Sequence, residues 1–444
     1  MPRHILISGG SIIDGTGSPA KPGSVLVCDD KILAVGADAD QQAAGLTRQA
    51  AGVEKIDATG LTVMPGLIDS HCHITFDEVS SNDELFFHRR PGLTAMVAAV
   101  NARKVLRAGV TGMFDADSLW EMGIDLRDAI EAGVVEGPRM ATGAYSLFTS
   151  VGGTAGRLVP DEGTIGYGKV LRNNHEIVTE VRRQIKMGVD WIKLHVTGLI
   201  PRQKRRGELQ VWTYDEIRLV VETANALDIP VVAHCRGPDS TYDAARAGCN
   251  LILHATFMDE RALEEVVKRK VAIAPTLTFQ ANLLDYGDRI GADPVLQDIF
   301  RREIADSAGM YRRAYDAGVP MLCGTESGFS VTPYGAWHYR ELEVFVRDLG
   351  LTPLQAIRCG TLEGARALCL EGKVGEIAAG RFADIIGIAG DPSKDVTILG
   401  DKSKLKFVLT GGRSVDLVTP DPLRKPISGW RVNAYGRILS RDLL

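Results

Sequence analysis

Four histidines, one lysine and one glutamate stand in this 444-residue chain where short apolar runs end, a placement that suits the binding of metal ions. His71 and His73, in Asp69-Ser70-His71-Cys72-His73, are two residues apart. Side chains alternate along a strand, so both imidazoles point to one side, where they can chelate one cation. Taken alone, the pair reads as easily as part of a solvated turn. Lys193 lies inside the apolar run Trp191-Ile192-Lys193-Leu194. Burial lowers the pKa of an amine, a neutral amine reacts with carbon dioxide, and the carbamate that forms is an anion able to bridge two cations. The alternative is a lysine paired with a nearby carboxylate. His234 closes Val231-Val232-Ala233, and His254 closes Leu251-Ile252-Leu253. Either one alone is an ordinary core histidine; in successive runs after the first pair and the lysine they read as further ligands. Glu326, in Gly324-Thr325-Glu326-Ser327-Gly328, adds a carboxylate able to bind metal and to take a proton from metal-bound water.

The elements that must position these groups follow from the pattern around them. Eight apolar runs (66–74, 110–116, 139–145, 191–196, 231–235, 251–255, 271–278 and 320–325) alternate with helical stretches, as βα units around a parallel sheet do. The spacing of Ile177, Val178, Val181 and Ile185 predicts an amphipathic helix over 176–187. Gly109, Gly188 and Gly318 follow helical stretches as C-terminal stops. Eight such units predict a (β/α)8 barrel, whose chemistry sits at the C-terminal strand ends. Before them, 5–7, 24–27, 31–35 and 54–57 read as short strands, and 380–388 and 406–412 resemble them, so both chain ends contribute to one small β-domain.

The bulk numbers remove other classes. A formal net charge of −5, with a single basic cluster at 202–206, argues against nucleic acid as partner. No stretch approaches the roughly 20 apolar residues of a membrane helix, and the N-terminus lacks a signal peptide's apolar core. Seven cysteines without paired spacing fit reduced thiols, hence a cytoplasmic protein.

Taken in order, Thr62-Val63-Met64-Pro65-Gly66-Leu67-Ile68-Asp69-Ser70-His71-Cys72-His73, Ile192-Lys193-Leu194, Ala233-His234, His254, the Gly-Thr-Glu-Ser-Gly turn and the returning 375–384 segment resemble the amidohydrolase superfamily, in its imidazolonepropionase-like and prolidase-like branch. The resemblance implies an α/β fold, a (β/α)8 TIM barrel over 63–372 with a small β-sandwich domain built from 1–62 and 373–444. It implies one or two zinc ions, two being favoured: His71 and His73 with the acidic residue on one, His234 and His254 on the other, carboxylated Lys193 bridging them. It also implies assembly into a homo-oligomer. The chain departs from the family at strand eight, where Glu326 stands for an aspartate. One more methylene moves the carboxylate by about 1.5 Å and leaves the choice of one or two ions open.

Around these ligands, His195 shares Lys193's strand face and reads as reaching the second metal or the substrate, or as an outer-layer hydrogen-bonding residue. Tyr145 closes the third run as a candidate oxyanion donor or aromatic wall. Trp337 and His338, in the aromatic-rich 334–340 stretch, read as substrate-binding or as rim packing, and the loops 148–168 and 280–293 as shaping the pocket. Cys72, Cys235 and Cys323 read as packing residues. The function expected is hydrolysis of an amide-like C–N bond (amide, N-acyl amino acid or dipeptide, urea, carbamate) by metal-activated hydroxide on a small aromatic or heterocyclic substrate, with Glu326 as base. The alternatives are a mononuclear deaminase, a cyclic-amide hydrolase and, behind both, a non-catalytic scaffold.

Overall fold

The computed structural model describes residues 2–48, 52–79, 90–152, 166–199, 208–421 and 439–441. The strands are β1 His4–Ile12, β2 Lys21–Cys28, β3 Lys31–Val35, β4 Val53–Asp57, β5 Leu61–Pro65, β6 Leu67–Cys72, β7 Val110–Asp115, β8 Arg139–Thr142, β9 Ser146–Phe148, β10 Gly168–Val170, β11 Ile192–His195, β12 Thr197–Leu199, β13 Leu209–Gln210, β14 Val231–Cys235, β15 Leu251–His254, β16 Ala272–Ala274, β17 Ile385–Ala389, β18 Leu405–Thr410 and β19 Arg413–Ser414. The helices are α1 Ala37–Arg48, α2 Pro91–Leu106, α3 Met122–Glu131, α4 Asn174–Met187, α5 Tyr214–Asn225, α6 Pro238–Ala247, α7 Glu260–Arg269, α8 Thr278–Ile290, α9 Pro294–Asp316, α10 Arg340–Arg347 and α11 Pro353–Cys359.

Both chain ends meet in one eight-stranded sheet ordered β19-β18-β17-β5-β1-β2-β3, with β4 also paired to β1. Alternation sends Leu6, Leu26 and Ala34 to one face, against Ala39 and Ala43 of α1. Ile5, Ile7, Val25 and Val27 face the other way, packing with Val63, Ile385 and Leu409. Helix α1 interrupts what the sequence predicts as strands and turns. Its buried residues are two alanines, so no apolar periodicity announces it.

Between the ends, seven of the eight predicted runs contain a strand. They divide between a parallel sheet ordered β6-β7-β8 and a parallel sheet ordered β10-β9-β11-β14-β15-β16. The eighth run, 320–325, forms no ladder strand; single parallel bridges join Met321 to Ile273 and Ser327 to Cys72. Pro320 has no N–H to donate, and the chain then comes so close to β6 that a Cβ on Gly324 would stand 2.7 Å from that of His71. The fold is thus mixed α/β, with parallel strands in two sheets rather than one closed ladder.

Local signals set the helices around these strands. Asn173 caps α4 by accepting from the Glu176 amide, and Gly188 ends it at φ 97°, where an L side chain is strained. Thr213 and Glu216 form a reciprocal capping box on α5. The 280–293 segment, expected as a loop, is mostly helix α8: its buried side includes Thr278, Gln280 and Asn282, which hides the apolar period. Of the 148–168 loop, 153–165 lies outside the described residues, as does the basic 202–206 run. No helix among the described residues is long and apolar enough to cross a membrane.

Asp384, just before β17, ties the terminal sheet to β8. Its carboxylate accepts from Arg139 Nε at 2.6 Å and from the Gly411 amide at 2.6 Å. Asp384→Ala strands both donors and is expected to lower unfolding free energy by about 2–3 kcal/mol, read as a lower midpoint in urea; an unchanged midpoint would remove this tie from the account.

Candidate metal centre

The strands carry the predicted ligands to one end of the parallel sheets. His71 is in β6 and His73 one residue beyond it; Lys193 and His195 are in β11, His234 in β14, and His254 ends β15. Register pairs His195 with His234 and Cys235 with His254. The rings cluster: His71 is 4.9 Å from His73 and 5.4 Å from His254, while His234 is 4.4 Å from His254 and stacks at 4.6 Å on His195. Glu326 Oε1 lies 3.5 Å from His254 Nε2. Its backbone is held at φ 52°, with the amide donating to His71 O at 2.8 Å. His254, Ala255, Thr276 and Ala144 share this left-handed conformation, a concentration of strain at strand ends that is characteristic of functional sites.

The donor set fits divalent cations. His71 is 1 % exposed, and neither ring nitrogen has a hydrogen-bond partner among the described residues, an unusual state for a buried imidazole. Burial, reinforced by Lys193 and His73, holds its pKa well below the ordinary histidine value, which leaves a neutral ring with a free lone pair. Burial does the same for His254, assisted by Arg236, and lowers His234. Their facing nitrogens, His254 Nε2 and His234 Nδ1, are 3.0 Å apart; two nitrogens on one tetrahedral zinc are about 3.3 Å apart. Of three donor groups among the described residues with ligand atoms within 4.8 Å of one another, two contain His71, with His73 and Asp117 and with His254 and Glu326; the third, Asp69 with Cys72 and His338, is joined by the His338–Asp69 contact.

Lys193 is 1 % exposed, and burial lowers its pKa against the pull of Asp117 and Glu326. That favours the neutral amine a carbamate requires. Its Nζ is also 3.7 Å from Asp117 Oδ1, so the alternative pairing with a carboxylate has its partner in place.

Asp117 is the residue that sequence reading passed over. It follows β7 in Phe114-Asp115-Ala116-Asp117, where an acid beyond a strand looks like any turn residue. Its Oδ2 accepts from the Ser146 hydroxyl at 2.7 Å and lies 3.0 Å from His195 Nε2. Burial opposes its charge, but Lys193 and His73 outweigh it and hold the carboxyl well below the usual range. Burial brings His195 down to about 3, so this ring is neutral. Glu208 and Arg236 were also missed. Glu208 Oε2 is 2.9 Å from His234 Nε2 and accepts from Thr197 at 2.8 Å; Arg236 pairs with Glu303, 3.3 Å from His254 Nδ1. Glu208→Gln is expected to leave the fold intact and lower zinc affinity about 10–100-fold, the usual effect of losing the carboxylate that orients a ligand histidine; equilibrium dialysis against a zinc buffer measures it, and unchanged affinity would count against His234 as a ligand.

Three predicted site residues take other places. Tyr145 turns toward α4: Gln184 donates to its carbonyl at 3.0 Å and the Arg183 guanidinium lies 5.3 Å over its ring. The phenol at the cluster is Tyr167, 6.0 Å ring to ring from His195 and hydrogen-bonded to Asp117, kept protonated first by burial. Trp337 is fully buried, and its indole N–H donates to Leu439 O at 2.9 Å. His338 holds Asp69 through Nδ1 at 2.7 Å and accepts the Gly335 amide at 3.0 Å. With both nitrogens engaged in the protein, His338 supports the turn carrying Thr325 rather than a ligand. Cys72, Cys235 and Cys323 are buried thiols whose pKa values burial pushes well above the ordinary value, so they are packing groups and not nucleophiles.

Comparison with known proteins places the chain in a family. A family model described as the amidohydrolase family matches residues 62–415. Ochratoxinase of Aspergillus niger is 25% identical over 432 residues, covering 92% of this chain and 86% of that one. Imidazolonepropionase of Geobacillus kaustophilus is 24% identical over 391 residues, covering 82% and 83%. A solved Xaa-Pro dipeptidase with methionine bound in its active site superposes with TM-score 0.77 at 25% identity, over 93% of this chain and 99% of that one.

Proposed function

The chain belongs to the amidohydrolase family, and from that premise we propose that this hydrolase is metal-dependent and cleaves an amide-like C–N bond in a small molecule. The observation that carries the reading is His71: a neutral buried imidazole with neither nitrogen partnered among the described residues, surrounded by His73, His254 and two carboxylates. In this reading the parallel sheets and the 320–325 segment form the wall of a (β/α)8 barrel spanning 63–372, and 1–62 with 373–444 form the accessory β-domain.

His71, His73, His234, His254 and a carbamate on Lys193 would hold two divalent ions, zinc by donor type, with a carboxylate completing the set. Bound there, the ions lower the pKa of water toward neutrality and polarise the scissile carbonyl. The chain's own groups do the rest. Glu326 accepts a proton at Oε1 and returns it to the leaving amine, and Arg236, 3.7 Å from that oxygen, restrains it. Glu208 keeps Nε2 of His234 occupied, which turns Nδ1 toward the cluster. Phe76 stacks 4.3 Å from His73 and packs with Phe148 and Tyr167, so aromatic side chains adjoin the ligand cluster, in keeping with an aromatic or heterocyclic substrate. The Xaa-Pro dipeptidase relative supports dipeptides as the first substrates to try, with N-acyl amino acids, which carry the same amide, beside them.

The Lys193–Asp117 contact favours one second reading, a mononuclear deaminase in which the lysine stays an amine. Seven free cysteines support a reducing, cytoplasmic setting, and assembly as a homo-oligomer is taken by analogy with the family. The test is a screen of zinc-loaded protein against N-acyl aromatic amino acids, Xaa-Pro dipeptides, aryl ureas, carbamates, cyclic amides and aminated heterocycles. Release of an amine from one of the acyl classes is expected; ammonia from heterocycles alone would select the deaminase, and no turnover of any class would count against the assignment.

A further inference from the structure

We propose that Asp117, from the turn after β7, and not Glu326, is the carboxylate that binds the first cation together with His71 and His73; this rests on the metal-dependent reading above. The family pattern takes the acidic ligand from strand eight, and the longer Glu326 leaves open how the first ion is completed. Asp117 answers that from the other side of His73.

Three observations converge. Asp117 is fully buried, yet its Oδ1 accepts no hydrogen bond among the described residues. It lies 3.0 Å from His73 Nδ1 in a contact without hydrogen-bond geometry and 3.7 Å from Lys193 Nζ, beyond hydrogen-bond range. In the metal-free protein Lys193 and His73 offset its charge without hydrogen-bond geometry, which leaves an Oδ1 lone pair for a divalent ion. The two ring nitrogens of His71 are equally without partners, and ligand atoms of His71, His73 and Asp117 lie within 4.8 Å of one another. The second carboxylate oxygen is already committed, to the Ser146 hydroxyl and to His195, which aims Oδ1 at the histidines. His195 is therefore a positioning residue, acting through Asp117.

Glu326 belongs to the other group. Its Oε1 is 3.5 Å from His254 Nε2 and 3.7 Å from Arg236, and its main chain is pinned to His71 O. The added methylene carries the carboxylate toward His254, and the acid left out at the first pair is supplied from the turn after β7.

The experiment measures metal per chain and zinc dissociation constants on full-length protein for wild type, Asp117→Asn and Glu326→Gln, with the visible spectrum of the cobalt-substituted protein as a second readout of ligand loss. Asp117→Asn is expected to lose one ion, its affinity falling more than about 100-fold, beyond the usual outer-layer effect, while Glu326→Gln keeps the ion at His71 and His73. Circular dichroism checks folding; if Asp117→Asn does not fold, Asp117→Glu, which keeps the charge and shifts the oxygen, is expected to bind at least about tenfold more weakly. Wild-type affinity in the Asp117 variants, or an equal loss in Glu326→Gln, overturns the proposal. A wild-type chain that binds no metal at all instead overturns the metal-dependent reading beneath it.

Discussion

His71→Ala is expected to remove hydrolysis almost completely, lowering kcat/KM by about 10⁴-fold or more. His71 is shared by two of the donor groups, so its loss weakens both ions at once. Metal catalysis of this type supplies several kcal/mol of transition-state stabilisation, and each 1.36 kcal/mol is a factor of ten in rate. The same substitution has a second signature. Because His71 makes no side-chain hydrogen bond among the described residues, removing it breaks no polar contact in the metal-free protein. Wild type gains about 2.7 kcal/mol when zinc is supplied at 100 times its Kd, and the variant is expected to lose that gain. Thermal melts with and without zinc separate this from misfolding: a variant that keeps both the zinc-dependent rise in Tm and wild-type turnover rules His71 out as a ligand.

Lys193→Ala is expected to cost about 10³-fold in kcat/KM and the ion nearest the amine, an effect of roughly 4 kcal/mol. The chemistry is a simple addition: the neutral amine attacks carbon dioxide, the new N–C bond forms as one C=O π bond opens onto oxygen, and a proton leaves to solvent, giving an anion where a neutral amine stood. A short carboxylic acid can enter the space vacated and restore part of the activity, which an uncharged amide of the same size cannot. In wild type, growth or reconstitution with ¹³C-bicarbonate is expected to give a carbamate carbon signal by NMR. If Lys193→Ala keeps full activity and full metal content, the lysine is only the partner of Asp117 and the mononuclear deaminase becomes the better account.

The candidate ligands could be picked out in the sequence because they stand in or at the end of apolar runs. His71, Lys193, His234 and His254 each lie in a strand, and apolar neighbours made those strands readable without a structure. The division into two parallel sheets was not legible, since the break at 320–325 depends on how closely Gly324 approaches His71. Asp117 escaped for a related reason: its meaning comes from His73, Lys193 and His195, which are distant in sequence and adjacent only in the fold. For Trp337 and His338 composition leaves substrate binding and rim packing open, and in the fold their ring nitrogens are spent on Leu439, Gly335 and Asp69, as rim packing would have them. Helix α8 was hidden by polar residues facing inward, Gln280 toward Glu303 and Asn282 toward Val331 O, which erase the apolar stripe that announces a helix.

Metal content and turnover measured on one preparation, through chelation and return of zinc, test the central claim most directly. The account predicts about two ions per chain as purified from zinc-supplemented medium, loss of hydrolysis in step with their removal, and recovery of both on adding zinc with bicarbonate. Full hydrolytic activity in protein stripped of metal would contradict it.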